Sequence, residues 1–275
     1  MSARIRTESL KVLREQGGWL HGMHRLVSTC PNCGTPADDS FCPSCGQRQG
    51  SEVLSVRYWI SQLVESYLSL DGRVPRSIVA LLFRPGFLTR EWLAGRRVRF
   101  SSPLHLCLWA AIAFVAASLV GTRGPIPAGW AEGAGPLIQR ALPLGFLAAV
   151  PAVAWVMHLT DRSRDLSYVE HLVFIAHLQA FYFVAFTPMV LTLGLDSGSD
   201  PWAAILSSLL GTGAIVYTWI ATGRVYGGGW ARTLRKCLTL GAGYSVAGPI
   251  ATALVSVVIA GLAVGITALI STLLT

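Results

Sequence analysis

Polar and apolar positions divide this chain near residue 103. Ahead of that point apolar residues come in short, interrupted runs; behind it they form stretches long enough to cross a bilayer. A hydrocarbon core about 30 Å thick takes about 20 apolar residues in helix. Five stretches meet that demand, approximately 104–121, 137–159, 168–195, 202–222 and 240–273. The last is unusual, because no charged residue occurs from Cys237 to Thr275. That tract is long for one crossing and short for two. Gly248-Pro249 in its middle suits either a kink in one helix or the turn of a tight hairpin. One span is the preferred reading, with Gly261 and Gly265, four apart, permitting close helix packing.

The front part carries shorter signals. Residues 52–70 place Val53, Val56, Ile60, Leu63, Val64, Tyr67 and Leu68 on one helical face, with Arg57, Ser61 and Glu65 on the other. The stretch is too polar to span and reads as an interfacial helix. Residues 77–83 are apolar but too short to cross, and Pro85-Gly86 breaks them. FLTREWLAG predicts a further short helix ending at Gly95. The fold class is therefore all-α: a polytopic transmembrane bundle of about five spans behind a small N-terminal cytoplasmic zinc ribbon. Its divisions are an N-terminal segment over 1–50 with the ribbon at 30–47, amphipathic interfacial helices over 51–103, and the membrane domain over 104–275.

Composition sharpens the picture. Of the 275 residues 52% are hydrophobic and only 13% charged, against roughly 25% charged in soluble domains. A soluble enzyme domain and a disordered chain are both excluded. Fourteen of the 22 Lys and Arg and eight of the 14 Asp and Glu lie in residues 1–103, a net of +6. Between the spans, bases are few, then plentiful (Arg162, Arg164), then absent, then plentiful again (Arg224, Arg232, Arg235, Lys236). That alternation predicts an inside N-terminus and an outside C-terminus. No apolar signal core occurs in the first 25 residues, so the front stays in the cytoplasm. The net charge of +8 follows from this topology and calls for membrane lipids as partners rather than nucleic acid. Arg96, Arg97 and Arg99, just ahead of the first span, serve as its inside anchor and are placed to grip anionic headgroups.

Two constellations carry candidate chemistry. Cys30, Cys33, Cys42 and Cys45 form C-x2-C-x8-C-x2-C, with Pro after the first Cys and Gly after the second in each half. Four thiolates in tetrahedral array suit a structural Zn²⁺, which leaves no open position for catalysis. In the reducing cytoplasm such cysteines bind metal rather than pair as disulfides. The ribbon is either a staple alone or a dock for a protein partner. The second constellation is polar groups at the membrane. Glu170 and His177 share a face of the third span, His171 is turned from it, His158 closes the second span and His105 opens the first. They suit a hydrogen-bonded lock between helices, a ligand or proton site, or a metal site.

The ordered segments CPNCG, FCPSCGQ, FRPGFLTREWLAGRRVRFSSPL, YVEHLVFIAHLQAFYF and GRVYGGGWARTLRK resemble a bacterial family of zinc-ribbon membrane proteins of unknown function (domain of unknown function 3667). The resemblance runs from about Cys30 to the last span. It implies a bacterial inner-membrane location, and it puts the family pattern on Arg96, Arg97, Arg99, Pro103, Glu170, His171 and His177. It implies no activity. Two functions follow as expectations. The first is a non-enzymatic zinc-ribbon adaptor or an accessory, transport-related component. The second is a membrane enzyme acting on a lipid or isoprenoid, with Glu170 and the nearby histidines as acid–base groups.

Overall fold

The computed structural model describes residues 29–37, 40–48, 72–121, 136–161, 166–193 and 201–274. The chain divides into two compact units, Met1–Val53 and Leu54–Thr275. The interfacial helix expected over 52–70 lies outside the described residues. So do the connections over 122–135, 162–165 and 194–200.

The first unit is built from two copies of one turn. In each, a Cys–Pro step opens a tight loop that closes on a glycine with positive φ, Gly34 at 75° and Gly46 at 70°. Gly34 N–H donates to Cys30 O at 2.8 Å, and Gly46 N–H donates to Cys42 O at 2.9 Å. Isolated antiparallel bridges, Thr29 with Pro36 and Phe41 with Arg48, flank the loops. A Cβ at either glycine would sit in a left-handed backbone that L side chains rarely adopt. Among the described residues of this unit, Cys30, Ala37 and Cys42 form its buried apolar cluster.

The second unit is helical throughout its described length: α1 Arg73–Phe83, α2 Phe87–Leu93, α3 Pro103–Gly121, α4 Pro136–Leu159, α5 Tyr168–Leu193, α6 Pro201–Tyr226 and α7 Trp230–Leu274. The expected spans lie on α3 to α7. Four of these, α4 to α7, are long and apolar enough to cross a membrane. The fifth, α3, is free of charge, and its 19 residues reach about 28 Å at 1.5 Å per residue.

Local chemistry sets the helix ends. Ser102 precedes Pro103 at the start of α3 and its hydroxyl accepts from His105 N–H, an N-cap followed by the proline that suits a first helical position. Ser167 and Glu170 open α5 with a reciprocal capping box. Glu170 Oε2 accepts the Ser167 N–H at 2.6 Å, and Ser167 Oγ accepts the Glu170 N–H at 3.4 Å. The α2 helix stops at Gly95, φ 79°, and Arg96 N–H reaches back to Glu91 O at 2.9 Å, which closes its last carbonyls.

At the centre stands α5, with Val173, Phe174, Ile175 and Ala176 all sealed from solvent. It packs on α3, α4 and α6, and α1 and α2 lie against it. The broadest helix pairing is α4 with α7. Outward faces of α6 and α7 stay apolar, with Ile215 73% and Val257 70% exposed. Contiguous apolar surface of this kind is what lipid covers. The α7 helix is continuous through Gly248-Pro249 and starts ten residues ahead of the expected span, because Arg232, Arg235 and Lys236 sit within its first turns rather than in a loop. Its 45 residues extend about 68 Å, and every side chain from Gly261 to Thr272 is exposed.

The α4–α7 contact depends on a missing side chain. A Cβ at Gly145 would lie 2.5 Å from Thr252 Cα, closer than any relaxation of a side-chain tip can relieve. Gly145→Ala is therefore expected to destabilise the bundle by about 1–3 kcal/mol, seen as a lower thermal midpoint in detergent. Gly211→Ala, where the added carbon meets open space, should leave that midpoint unchanged or slightly raised.

Candidate metal centre and buried polar cluster

In the first unit the twin turns bring four sulfurs together. Cys30 Sγ is 3.6 Å from Cys45 Sγ and Cys33 Sγ is 3.5 Å from Cys42 Sγ. All four Sγ atoms lie within 4.8 Å of one another. A tetrahedral ion with bonds of about 2.3 Å would set its sulfurs about 3.8 Å apart, so the cage fits one metal ion with little adjustment. The sulfurs are not equivalent. Hydrogen bonding from the Thr35 hydroxyl and backbone pushes the Cys33 thiol down to about 6. Cys45 is pulled down by the Gln47 N–H, yet desolvation and three neighbouring sulfurs push it up to about 11. The four cannot all ionise beside one another without a cation between them. A metal bound here supplies folding energy to a segment with almost no apolar core and offers no open coordination position.

The second unit gathers most of its described charges at one end of the bundle, where α4 and α6 finish and α5 and α7 begin; Arg140, near the start of α4, stands toward the other end. Asp161, just past α4, is buried there. Its Oδ2 lies 3.2 Å from Lys236 Nζ on α7 and 3.5 Å from His171 Nε2 on α5. His171 Nδ1 is hydrogen-bonded to the Tyr226 hydroxyl at the end of α6, at 2.8 Å. The Lys236 ammonium also faces the Tyr226 ring, 4.9 Å from its centroid. The His158 ring meets that of His171 edge-on at 5.7 Å. Side chains of Asp161, His171 and Lys236 are 0–1% exposed. One carboxylate thus joins the ends of α4, α5 and α7, and through His171 the end of α6.

The five residues expected to make one polar site separate into four places. His158 and His171 belong to the Asp161 cluster. His177, further along α5, is hydrogen-bonded through Nδ1 to Thr89 Oγ1 on α2 at 3.1 Å. It borders a cavity of about 10 Å³, room for a single water. Glu170 is held in the capping box of α5. His105 Nε2 accepts from Trp109 Nε1–H within α3 at 2.7 Å. The three anchor arginines separate as well. Arg96 makes a two-point bond to Glu91, at 2.5 and 2.7 Å, and this bond holds the Glu91 carboxyl below its ordinary range. Arg97 folds back over the Trp92 ring, 5.2 Å from its centroid. Arg99 stays exposed.

Sequence reasoning missed Asp161, Tyr226 and Lys236, which read as loop residues beside the spans. A usable signal was present: Lys236 is one of two lysines among 22 basic residues, and it borders a tract without charge.

Residues 71–115 match the family described as "Protein of unknown function (DUF3667)". This is the family whose likeness the sequence motifs suggested, and the match covers α1, α2 and the first part of α3. No curated protein and no solved structure matches the chain.

A buried ion pair deprived of one member leaves the other charge uncompensated, at a cost of about 3–5 kcal/mol. Asp161→Asn should lower bundle stability by that order in a detergent unfolding titration. The double variant Asp161→Asn with Lys236→Met should recover most of the loss. Equal loss in both would show that the pairing itself is not what Lys236 requires.

Proposed function

We propose that this chain is a non-catalytic zinc-ribbon adaptor or accessory subunit of a bacterial inner membrane, crossing it five times with its N-terminus in the cytoplasm. The observation that carries the reading is that its candidate reactive groups, His158 apart, are already committed to structure. Four sulfurs surround the metal position and leave none for substrate. Glu170 holds a backbone N–H of its own helix start. His171, His177 and His105 each bond a side chain of the protein. An acid–base enzyme would want such groups converging on one accessible cleft.

Zinc is the metal that best suits four thiolates at this spacing. Orientation rests on charge. The arginines of α1, α2 and the loop before α3 share the bundle end with Arg224, Arg232, Arg235 and Lys236, which is the arrangement of a cytoplasmic face. A partner that docks on the ribbon would be tethered to the membrane through the rest of the chain. The α3 helix counts as the fifth crossing because its length nearly matches the hydrocarbon core.

Three measurements test this. Reporter fusions at Arg164 should read inside, and fusions at Ser199 and Thr275 outside; an inside signal at Thr275 overturns the five-span topology. Metal analysis of the purified full chain should give about one zinc per molecule, and iron with less than half an equivalent of zinc would overturn the metal assignment. In living cells, photo-crosslinking from position 43 should trap a discrete protein, and Cys42→Ser should abolish that adduct while leaving the chain inserted. An adduct that survives Cys42→Ser would remove the ribbon from any docking role.

A further inference from the structure

The elbow between α1 and α2 builds a second feature that neither the ribbon nor the buried cluster uses. Pro85-Gly86 turns the chain sharply, with Gly86 left-handed at φ 73°. A Cβ there would stand 3.0 Å from Ala221 O, so the glycine lets the elbow settle directly on α6. Tyr217 OH donates to Leu81 O at 2.5 Å, and Arg224 Nη1 donates to Pro85 O at 3.1 Å. These bonds fix α2 alongside the charged end of α6. Between them lies an open cleft of about 400 Å³.

The cleft is amphipathic. Phe87, Leu93 and Val225 supply apolar wall, and Arg90, Arg96 and Arg224 supply three guanidiniums. Its carboxylate, Glu91, is spent on Arg96 through the two-point bond. Among the described residues no carboxylate lies within ion-pair reach of Arg90 or Arg224, so the cleft keeps about two positive charges. Both of these arginines are exposed. The same elbow carries the membrane's other signature: on α1, Ser77, Ala80 and Leu81 face inward, while Phe83 is 77% and Val79 59% exposed. Exposed apolar side chains beside arginines, on a short helix at one end of a spanning bundle, place this element at headgroup depth.

We propose that this cleft binds the phosphate headgroup of an anionic phospholipid in the leaflet at the charged end of the bundle. Arg90 and Arg224 take the phosphate oxygens, and the Phe87–Leu93–Val225 wall takes the start of an acyl chain. Guanidinium presents forked donors that match phosphate geometry. Two uncompensated guanidiniums select an anionic headgroup over a zwitterionic one, whose own ammonium they would repel. The reading differs from a row of topology anchors, because Arg96 and Arg97 are taken up by Glu91 and Trp92 and the binding falls to Arg90 and Arg224. It requires membrane insertion but not the adaptor role, so lipid binding and ribbon crosslinking fail independently.

The test uses the full-length chain in nanodiscs of phosphatidylcholine with graded phosphatidylglycerol, with bound lipid counted by native mass spectrometry after release. Wild type should retain phosphatidylglycerol in preference to phosphatidylcholine. Arg90→Gln with Arg224→Gln should cut that preference by about tenfold or more, one tenfold step corresponding to ~1.4 kcal/mol, with the thermal midpoint unchanged. Arg235→Gln removes an exposed charge from the same bundle end outside the cleft and should leave the preference intact. An equal fall with Arg235→Gln would reduce the effect to general surface charge and overturn the site. Competition by millimolar glycerol phosphate as effective as that by the lipid would show a free-phosphate site and overturn the lipid assignment. No preference in wild type overturns it outright.

Discussion

A charge in hydrocarbon costs several kcal/mol unless it is paired or reaches water, and most of the architecture follows from that cost. Apart from Arg140 near the start of α4, described charges of the second unit lie at one end of the bundle. There the arginines of the elbow are exposed, and the one sealed acid, Asp161, sits against Lys236 and His171. Spans α4 to α7 carry no described charge in their middle turns. What remains polar there is satisfied within the protein, as with Tyr244 and Gln179 at 2.7 Å and Tyr182 and Thr218 at 2.7 Å. Side-chain hydroxyls such as Thr252 and Ser256 return their protons to the preceding turn of their own helix. Most polar atoms buried among apolar neighbours in these spans thus end in a partner, with Thr222 Oγ1 near the end of α6 an exception.

Different levels of this structure were legible to different degrees. The metal cage could be read from spacing, because two identical C-P-x-C-G turns fold locally and need only meet. The spans could be read because hydropathy over about 20 residues integrates a large signal. Glu170 shows how a correct observation can carry the wrong weight. An acid at the lip of a span suggested chemistry, while the local pattern Ser167-x-x-Glu170 already described a capping box. Asp161 and Lys236 escaped for the opposite reason. Each looks like an ordinary loop charge, and only the packing of α4 against α7 brings them to 3.2 Å. The cleft at the elbow was similarly hidden, since Arg224 reaches Pro85 across 139 positions of sequence.

The two units solve the problem of stability with different means. The seven described helices bury an apolar core among themselves and turn further apolar faces outward. The described cysteine segment has three buried apolar residues, so a metal ion held by its four sulfurs would be its main source of order. The apolar packing centred on α5 is built without any contribution from the cysteine segment.

The spacing of the buried ion pair also has a meaning in time. Asp161 leaves the ribosome some 75 residues before Lys236, an interval of about 4–15 s at 5–20 residues per second. For that interval α4 and α5 are made while their shared carboxylate has no ammonium to meet, and it can stay charged only where water still reaches it. The end of the bundle that holds Asp161 must therefore remain wet until α6 and the first turns of α7 arrive. That end can close only once Lys236, in the first turns of α7, has been made, while most of α7 is still to follow.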